Sequence, residues 1–232
     1  ILDVADGVMV ARGDLGTEIP SEVVPIEQKK MIKACRHRNK ICVVATEMLE
    51  TMMENARPKR AETSDIANAV LDGTDAVMLS GETTMGKHPI ETVAAMARIC
   101  EVTEKYADYN YIEEMRFVAN ARDAIATAVV DTANRLNAKL ITTATVHGRT
   151  AKLISNFRPK APILALTPNE KDGRKLMLNY GIYPVLMPLM NSTDEVLAHS
   201  VDAAKKFAKL EKDDIVVITG GFPNNDENRT TN

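Results

Sequence analysis

Aromatic residues and cysteine are scarce in this sequence, and tryptophan is absent. Aromatic side chains make up 4% of the 232 residues, and the formal net charge at pH 7 is -3. Because nucleic-acid-binding proteins need a basic surface and rings for stacking, this composition argues against a nucleic-acid partner. Apolar runs of membrane-spanning length and a signal peptide are also missing, so we expect neither a membrane span nor secretion.

The cysteines and histidines follow no metal-binding spacing. There are three cysteines and four histidines, and no Cys-x-x-Cys pair occurs. Two of the cysteines lie within apolar or helical patterns, which predicts buried thiols in a reducing compartment. Of the histidines, only His147 falls inside a candidate site. We therefore expect a cytoplasmic protein without a Cys/His metal centre.

The most informative stretch is a short apolar strand, residues 8–11, followed by Arg12-Gly13-Asp14. Ligands of parallel α/β proteins bind where such strands end. Gly13 allows a ligand to approach the backbone, and the Asp14 carboxylate suits Mg²⁺. On this stretch alone, a turn at Gly13 and a helix cap at Asp14 explain the residues equally well. Cell adhesion through Arg-Gly-Asp is disfavoured, because the tripeptide directly follows a core-like strand.

The same strand–helix pattern repeats along the first half of the chain. Further strands are predicted at 40–46 and 75–82, and helices at 22–38, 47–54, 64–71 and from Pro89 onward. This alternation implies a parallel sheet, with Asp14, Thr46 and Ser80 along one edge. Three units are too few to close an eight-stranded barrel, and the chain opens in an apolar run without an initiator methionine. We expect residues 1 to about 105 to be the C-terminal part of a larger barrel.

A second alternating set follows a connecting segment at 106–117. Strands are predicted at 139–144, 162–166, 182–187 and 214–219, and helices at 121–136, 150–156, 169–178 and 193–210. Thr167-x-x-Glu170 and Ser192-x-x-Glu195 have the spacing of capping boxes. The set predicts a compact α/β domain of ordinary size.

A polar segment, residues 145–150, lies between a strand and a helix of this second domain. Backbone N–H groups at a helix start favour anions, and the side chains of Arg149 and Thr150 add charge and a donor. A polar turn with a threonine cap explains the same residues without any ligand.

Five sequence motifs occur in the first half of the chain. They are Val-Met-Val-Ala-Arg-Gly-Asp-Leu-Gly at 8–16, Ala-Thr-Glu-Met-Leu-Glu at 45–50, Arg-Pro-Lys-Arg-Ala-Glu at 57–62, Asp-Ile-Ala-Asn-Ala-Val-Leu-Asp-Gly at 65–73 and Met-Leu-Ser-Gly-Glu-Thr at 78–83. Together these motifs resemble the pyruvate kinase family. Their order and spacing are those of the family, and the resemblance extends over essentially the whole chain. It implies an α/β fold, with the C-terminal part of a (β/α)8 TIM barrel at 1–112 and a parallel-sheet C-terminal domain at 113–232.

The resemblance also implies an activity, the transfer of a phosphoryl group from phosphoenolpyruvate to ADP that yields pyruvate and ATP. Asp14 would bind Mg²⁺ or Mn²⁺, and K⁺ is a second implied cofactor. The N–H groups of Gly13 and Asp14 would bind the substrate carboxylate, and Thr46 would be catalytic, with Ser80 more distant in the same proton relay. Arg12 would position the loop, through its neighbours or across a subunit contact. The family's catalytic lysine, metal-binding glutamate, nucleotide site and lid domain match nothing in this chain.

The polar segment 145–150 resembles an effector-phosphate loop of the family. Its implied binding residues are Thr145, His147, Gly148, Arg149 and Thr150. Residues 220–232 resemble the other half of that site but are poorer in glycine than usual. Glu47 stands where the family usually has glutamine. A homotetramer is implied, and the alternative to an enzyme portion is a non-catalytic module for effector binding and oligomerisation.

Overall fold

The computed structural model describes residues 1–109, 120–189 and 192–220. They form two compact units, of which the first is Ile1–Tyr109. Each unit has its own parallel sheet with helices packed against it. None of the described helices combines the length and the apolar character needed to cross a membrane.

The first unit contains three parallel strands in the order β1-β2-β3. The strands are β1 (Gly7–Ala11), β2 (Ile41–Ala45) and β3 (Ala76–Met78). The helices are α1 (Arg12–Glu18), α2 (Val24–His37), α3 (Arg60–Leu71), α4 (Gly81–Thr84) and α5 (Pro89–Tyr106), with a 3-10 turn at Glu50–Met53. Proline in the first turn of α2 and of α5 favours these helix starts, since its fixed φ suits that position.

One apolar cluster holds the first unit together. It contains fully buried side chains from β1, β2, α2 and α3, among them Val10, Val44, Ile32 and Ile66. Burying such side chains contributes about 1.5–3 kcal/mol each. The cluster therefore fixes the positions of the strand ends, from which the C-terminal loops begin.

Helix α1 was not predicted, and three further stretches of the first unit differ clearly from the prediction. Residues 47–54 form only the 3-10 turn, because Thr46 and Glu47 adopt left-handed φ values of 68° and 54°. Helix α3 begins at Arg60 rather than at 64, since Glu62 accepts a hydrogen bond from the Lys59 N–H at 2.8 Å. Strand β3 ends at Met78, and the predicted strand residues from Gly81 onward belong to α4.

The second unit contains four parallel strands in the order β6-β5-β4-β7. The strands are β4 (Leu140–Ala144), β5 (Ile163–Thr167), β6 (Ile182–Leu186) and β7 (Val216–Gly220). The helices are α6 (Ala121–Arg135), α7 (Arg149–Asn156), α8 (Glu170–Leu176) and α9 (Thr193–Phe207). Apolar clusters cover both faces of β4, with Ile141 in one and Leu140 in the other.

Side-chain caps begin three helices of this unit. Ser192 caps α9 by accepting from the Glu195 N–H at 3.2 Å, as its spacing predicted. Asn120 caps α6 in the same way. The predicted capping box at Thr167 is wrong, because Thr167 is the last residue of β5 and Asn169 caps α8 instead.

Candidate functional site

The carboxyl ends of the three strands in the first unit lie side by side. Ala11 is in register with Ala45, and Ala45 is in register with Met78. The candidate residues that follow these ends are Asp14, Thr46 and Ser80. We call this edge, with the loops that follow β1, β2 and β3, the strand-end rim. The rim brings together the residues that the sequence placed there.

Arg12 is the structural centre of the rim. Its side chain is almost fully buried and donates to the Thr46 carbonyl oxygen from Nε at 3.2 Å and from Nη2 at 2.7 Å. Nη2 also donates to the Glu47 carbonyl oxygen at 2.8 Å, and Nη1 forms an ion pair with Asp65. A rigid guanidinium can serve several acceptors at once, which a lysine ammonium does less well. Arg12 therefore positions the loop after β2 through its neighbours.

The Gly13 N–H donates a hydrogen bond to Thr46 Oγ1 at 2.9 Å. This bond joins the loop after β1 to the loop after β2. A Cβ built on Gly13 would lie 3.5 Å from Thr46 Oγ1, which is ordinary van der Waals contact. Packing among the described residues thus does not require glycine at this position.

Thr46 and Glu47 are consecutive non-glycine residues with left-handed backbone. This conformation costs roughly 1–2 kcal/mol per residue, because Cβ approaches the carbonyl oxygen. The Arg12 hydrogen bonds to both carbonyl groups offset part of that cost. Strain held in place by surrounding contacts is common at functional sites, and here it fixes the Thr46 hydroxyl against Gly13. The Glu47 side chain is exposed.

Glu82 is a buried carboxylate that the sequence analysis did not assign to the site. It accepts from the Ser80 N–H at 2.8 Å and from the Leu49 N–H at 3.2 Å, and it is 3% exposed. Burial raises the pKa of Glu82, but hydrogen bonds from four backbone N–H groups outweigh burial and hold the pKa below its ordinary value. These donors belong to Glu82 itself, Ser80, Leu49 and Met48. Glu82 is therefore held as a carboxylate, and its hydrogen bonds connect the loop after β2 to the loop after β3.

Asp14 is exposed in the first turn of α1. The N-cap of that helix is Ala11, so the alternative that Asp14 caps the helix does not hold. Within residues 1–109, 120–189 and 192–220, no three His, Cys, Asp or Glu side chains group as a metal site. Mg²⁺ is commonly bound by one or two carboxylates together with water and substrate oxygens. Asp14 fits such a site as one ligand.

The polar segment 145–150 forms a tight turn at the carboxyl end of β4. Its first two residues are held by the neighbouring strand, since the Thr145 N–H donates to the Leu166 carbonyl at 2.9 Å and Thr167 Oγ1 donates to the Val146 carbonyl at 3.1 Å. Gly148 adopts φ 76°, and a Cβ there would lie 2.7 Å from Leu176 Cδ2. Only glycine meets both conditions without strain.

The candidate effector residues lie just before α7 and in its first turn. Helix α7 begins at Arg149, whose side chain is exposed, and the Gly148 carbonyl accepts from the Lys152 N–H at 3.0 Å. His147 Nδ1 lies 3.4 Å from Asp172 Oδ2, so a carboxylate borders this turn. Ala144 pairs with Gly220, which places the end of β7 beside the turn. The rest of the predicted second half, 221–232, lies outside the described residues.

The two sheets define an α/β protein built of part of a barrel and a separate parallel-sheet unit. The family model "Pyruvate kinase, barrel domain" matches residues 1–93, and the model "Pyruvate kinase, alpha/beta domain" matches residues 123–232. This chain belongs to the pyruvate kinase family.

Relatives and solved structures agree with this assignment. The chain is 46% identical over 228 residues to a pyruvate kinase of Clostridium acetobutylicum, covering 97% of this chain and 48% of the relative. It is 48% identical over 226 residues to a pyruvate kinase of Geobacillus stearothermophilus, covering 96% of this chain and 38% of the relative. A crystal structure of a pyruvate kinase from Cryptosporidium parvum matches with a TM-score of 0.88 at 40% identity, covering 95% of this chain and 45% of that one. The chain thus spans less than half the length of these relatives.

Proposed function

We propose that this chain supplies one side of a pyruvate kinase active site, for transfer of a phosphoryl group from phosphoenolpyruvate to ADP to give pyruvate and ATP. The observation that supports the proposal is the hydrogen bond between the Gly13 N–H and Thr46 Oγ1, beside the exposed Asp14. Phosphoryl transfer depends on positioned substrate and neutralised charge, and the rim supplies groups for both.

Gly13 and Thr46 have complementary parts in this mechanism. The N–H groups of Gly13 and Asp14 would bind the substrate carboxylate. The Gly13 N–H would then donate to a substrate oxygen instead of to Thr46 Oγ1. That exchange releases the Thr46 hydroxyl to hold or pass the proton that the enolate needs. Arg12 keeps the Thr46 backbone in place during the exchange, because its bonds go to carbonyl oxygens and not to the hydroxyl.

The cofactors in this proposal are Mg²⁺ or Mn²⁺ together with K⁺. Asp14 would be one ligand of the divalent ion, and that ion would neutralise charge on the transferring phosphoryl group when bound. We assign no described residue to K⁺ or to ADP. The proposed location is the cytoplasm, and the proposed assembly is a homotetramer.

A chimera tests the active-site proposal. This chain would replace the matching segment of the Geobacillus stearothermophilus relative, and pyruvate formation from phosphoenolpyruvate and ADP would be measured. We expect activity in the parent chimera and a loss of about 100-fold in kcat/KM for Asp14→Asn, since a metal ligand is removed. Asp6→Asn is the matched control, because Asp6 is exposed before β1. Equal activity of both variants would contradict the role of Asp14.

The 232-residue polypeptide by itself should have negligible pyruvate kinase activity. Its rim offers Asp14 as a metal ligand, and its sequence contains no motif that matches the family's catalytic lysine. The same coupled assay on the purified polypeptide checks this, and sustained pyruvate production would contradict it.

A second candidate function is a non-catalytic module that binds a phosphorylated effector and supports oligomerisation. The left-handed Gly148, which turns the chain so that Arg149 and Thr150 begin α7, favours this candidate. Thr145 and His147 complete the proposed effector site.

Titration calorimetry with glucose 6-phosphate and with AMP tests the module. We expect binding, and Arg149→Ala should abolish it. Arg135→Ala should leave binding unchanged, because Arg135 is an exposed residue in the last turn of α6. No heat with either ligand would contradict effector binding by the described turn.

A further inference from the structure

The sequence motifs at 57–62 and 65–73 contain two carboxylates that the proposed function does not use. They belong to Glu62 in the first turn of α3 and to Asp65 in the second. The two residues are three positions apart, so their side chains lie on the same side of the helix. Each carboxylate is bonded to a residue outside α3.

Glu62 holds the far end of the loop that follows β2. Its Oε1 accepts a hydrogen bond from the Thr51 N–H at 2.7 Å, and its Oε2 accepts one from Thr51 Oγ1. Thr51 lies in the first part of the 3-10 turn, where an N–H group lacks a partner within its own turn. Oε2 also accepts from the Lys59 N–H at 2.8 Å. One carboxylate therefore joins the start of α3 to residue 51.

Asp65 acts on the near end of the same loop through Arg12. Its carboxylate forms an ion pair with Arg12 Nη1, and Arg12 Nε and Nη2 donate to the Thr46 carbonyl oxygen. The Arg12 side chain is 9% exposed and the Asp65 side chain 38%. A buried charge that loses its partner is destabilised, so Arg12 needs Asp65 in order to stay in this place. The position of the Thr46 carbonyl therefore depends on Asp65.

The loop between these two contacts has little regular structure of its own. We call residues 46–51 the Thr46 loop, and residues 46–49 of it belong to no helix or strand. Thr46 has a left-handed φ of 68°, and its Oγ1 accepts from the Gly13 N–H at 2.9 Å. A strained backbone keeps its conformation only where surrounding contacts hold it. Helix α3 provides such contacts at both ends of the loop.

We propose that Glu62 and Asp65 are positioning residues of the proposed active site, which together hold both ends of the Thr46 loop and keep the Thr46 hydroxyl against Gly13. The proposal rests on the proposed function for the reaction that Thr46 serves. Glu62 acts through Thr51, and Asp65 acts through Arg12. Loss of either carboxylate should displace Thr46 and slow the proton step, while the N–H groups that bind the substrate carboxylate remain.

Amide hydrogen exchange of the whole 232-residue polypeptide, followed by NMR, tests the structural link without any assay of activity. Glu62→Gln and Asp65→Asn should each raise the exchange rate of the Gly13 N–H about 10-fold, because its acceptor on Thr46 moves away. The N–H of the fully buried Val44 in β2 should keep its rate in both variants, as expected of a unit that stays folded.

Asp72→Asn is the matched control. Asp72 is the C-cap residue at the opposite end of α3, and its carboxylate forms an ion pair with Lys29. This variant removes a carboxylate charge from the same helix without touching the Thr46 loop. The exchange rate of the Gly13 N–H should therefore stay at the parental value.

Kinetics of the chimera with the Geobacillus stearothermophilus relative separate positioning from binding. Glu62→Gln and Asp65→Asn should each lower kcat about 10-fold and leave KM for phosphoenolpyruvate within about twofold, since only the proton step depends on Thr46. Asp65→Glu should recover most of kcat, because its carboxylate can still pair with Arg12. Asp72→Asn should keep the parental kcat.

Unchanged exchange of the Gly13 N–H in either variant would overturn the proposal, and this result stands even if the parent chimera is inactive and the proposed function fails. A raised KM with unchanged kcat would also overturn it, because the carboxylates would then serve binding. So would an equal loss of kcat in Asp72→Asn, since any loss of charge on α3 would then have the same effect.

Discussion

Arg12 shows how one side chain stabilises an otherwise unfavourable backbone. Its guanidinium bonds the carbonyl oxygens of Thr46 and Glu47, whose left-handed φ values would be costly in isolation. Asp65 fixes the guanidinium from the other side. The rim geometry therefore depends on Arg12, whose hydrogen bonds go to backbone carbonyl groups and to Asp65.

Replacing Arg12 with lysine should destabilise the first unit by about 2 kcal/mol, because an ammonium cannot bond both carbonyl groups and Asp65 in the same geometry. Urea unfolding monitored by circular dichroism measures the change. Arg38→Lys is the control, since the Arg38 contact with Asp3 at 3.6 Å is exposed on both sides. A change of similar size in both variants would speak against a special role for Arg12.

The buried Glu82 should make the stability of the folded protein fall at acidic pH. Its pKa in the folded protein lies below the ordinary value of 4.5, so its stabilisation is fully present above that value and is lost as the pH falls through the lower, folded pKa. Glu82→Gln should cost about 1–3 kcal/mol at pH 7, and the difference from the parent should shrink below pH 4.5. Urea unfolding at pH 7 and at acidic pH checks this. Glu18→Gln, at an exposed residue, should show neither effect, and a Glu82→Gln difference that grows on acidification would contradict the assignment.

The positions of residues were predictable only where a local pattern carries them. Gly13, Asp14 and Thr46 follow strand ends, so sequence order alone placed them on one edge. The burial of Glu82 was not predictable, because its donors come from Leu49 and Ser80, and Leu49 lies 33 positions away in the chain. No sequence spacing encodes such a contact.

At the scale of elements, the strands and long helices were predicted within a few residues, since their apolar periods are clear. The short helices α7 and α8 were predicted too, but α1, α4 and the 3-10 turn at Glu50–Met53 were not. The left-handed pair at Thr46 and Glu47 overrides the helical pattern of 47–54, and that pair is stabilised by Arg12 from a different element. Tertiary contacts therefore decided the boundaries that local propensity missed.

Gly148 links the turn after β4 to helix α8. Gly148→Ala should cost about 2–4 kcal/mol, because the left-handed φ disfavours a Cβ and that Cβ would press on the buried Leu176. Gly181→Ala is the matched control, since φ there is 65° and nothing lies within 4 Å of the added Cβ. Thermal or urea unfolding distinguishes the two variants. Equal losses would show that the contact with Leu176 contributes nothing.

At the scale of the molecule, each unit has its own apolar core, and we propose a boundary near residue 112. A polypeptide of residues 113–232 should fold cooperatively by itself, because the clusters on both faces of β4 are complete within it. Circular dichroism and urea unfolding test this. Ile163→Ala should lower its stability by about 2–5 kcal/mol, whereas a broad, non-cooperative transition in the parent polypeptide would contradict the boundary.

The three-stranded sheet of the first unit has a consequence for handling the protein. Among the described residues, β1 and β3 each pair only with β2, so one margin of each strand has no neighbouring strand. Met9 on β1 is also 53% exposed. Such margins are templates for strand addition between molecules. Concentrated solutions of this polypeptide should therefore precipitate on storage, and Met9→Lys should slow that precipitation.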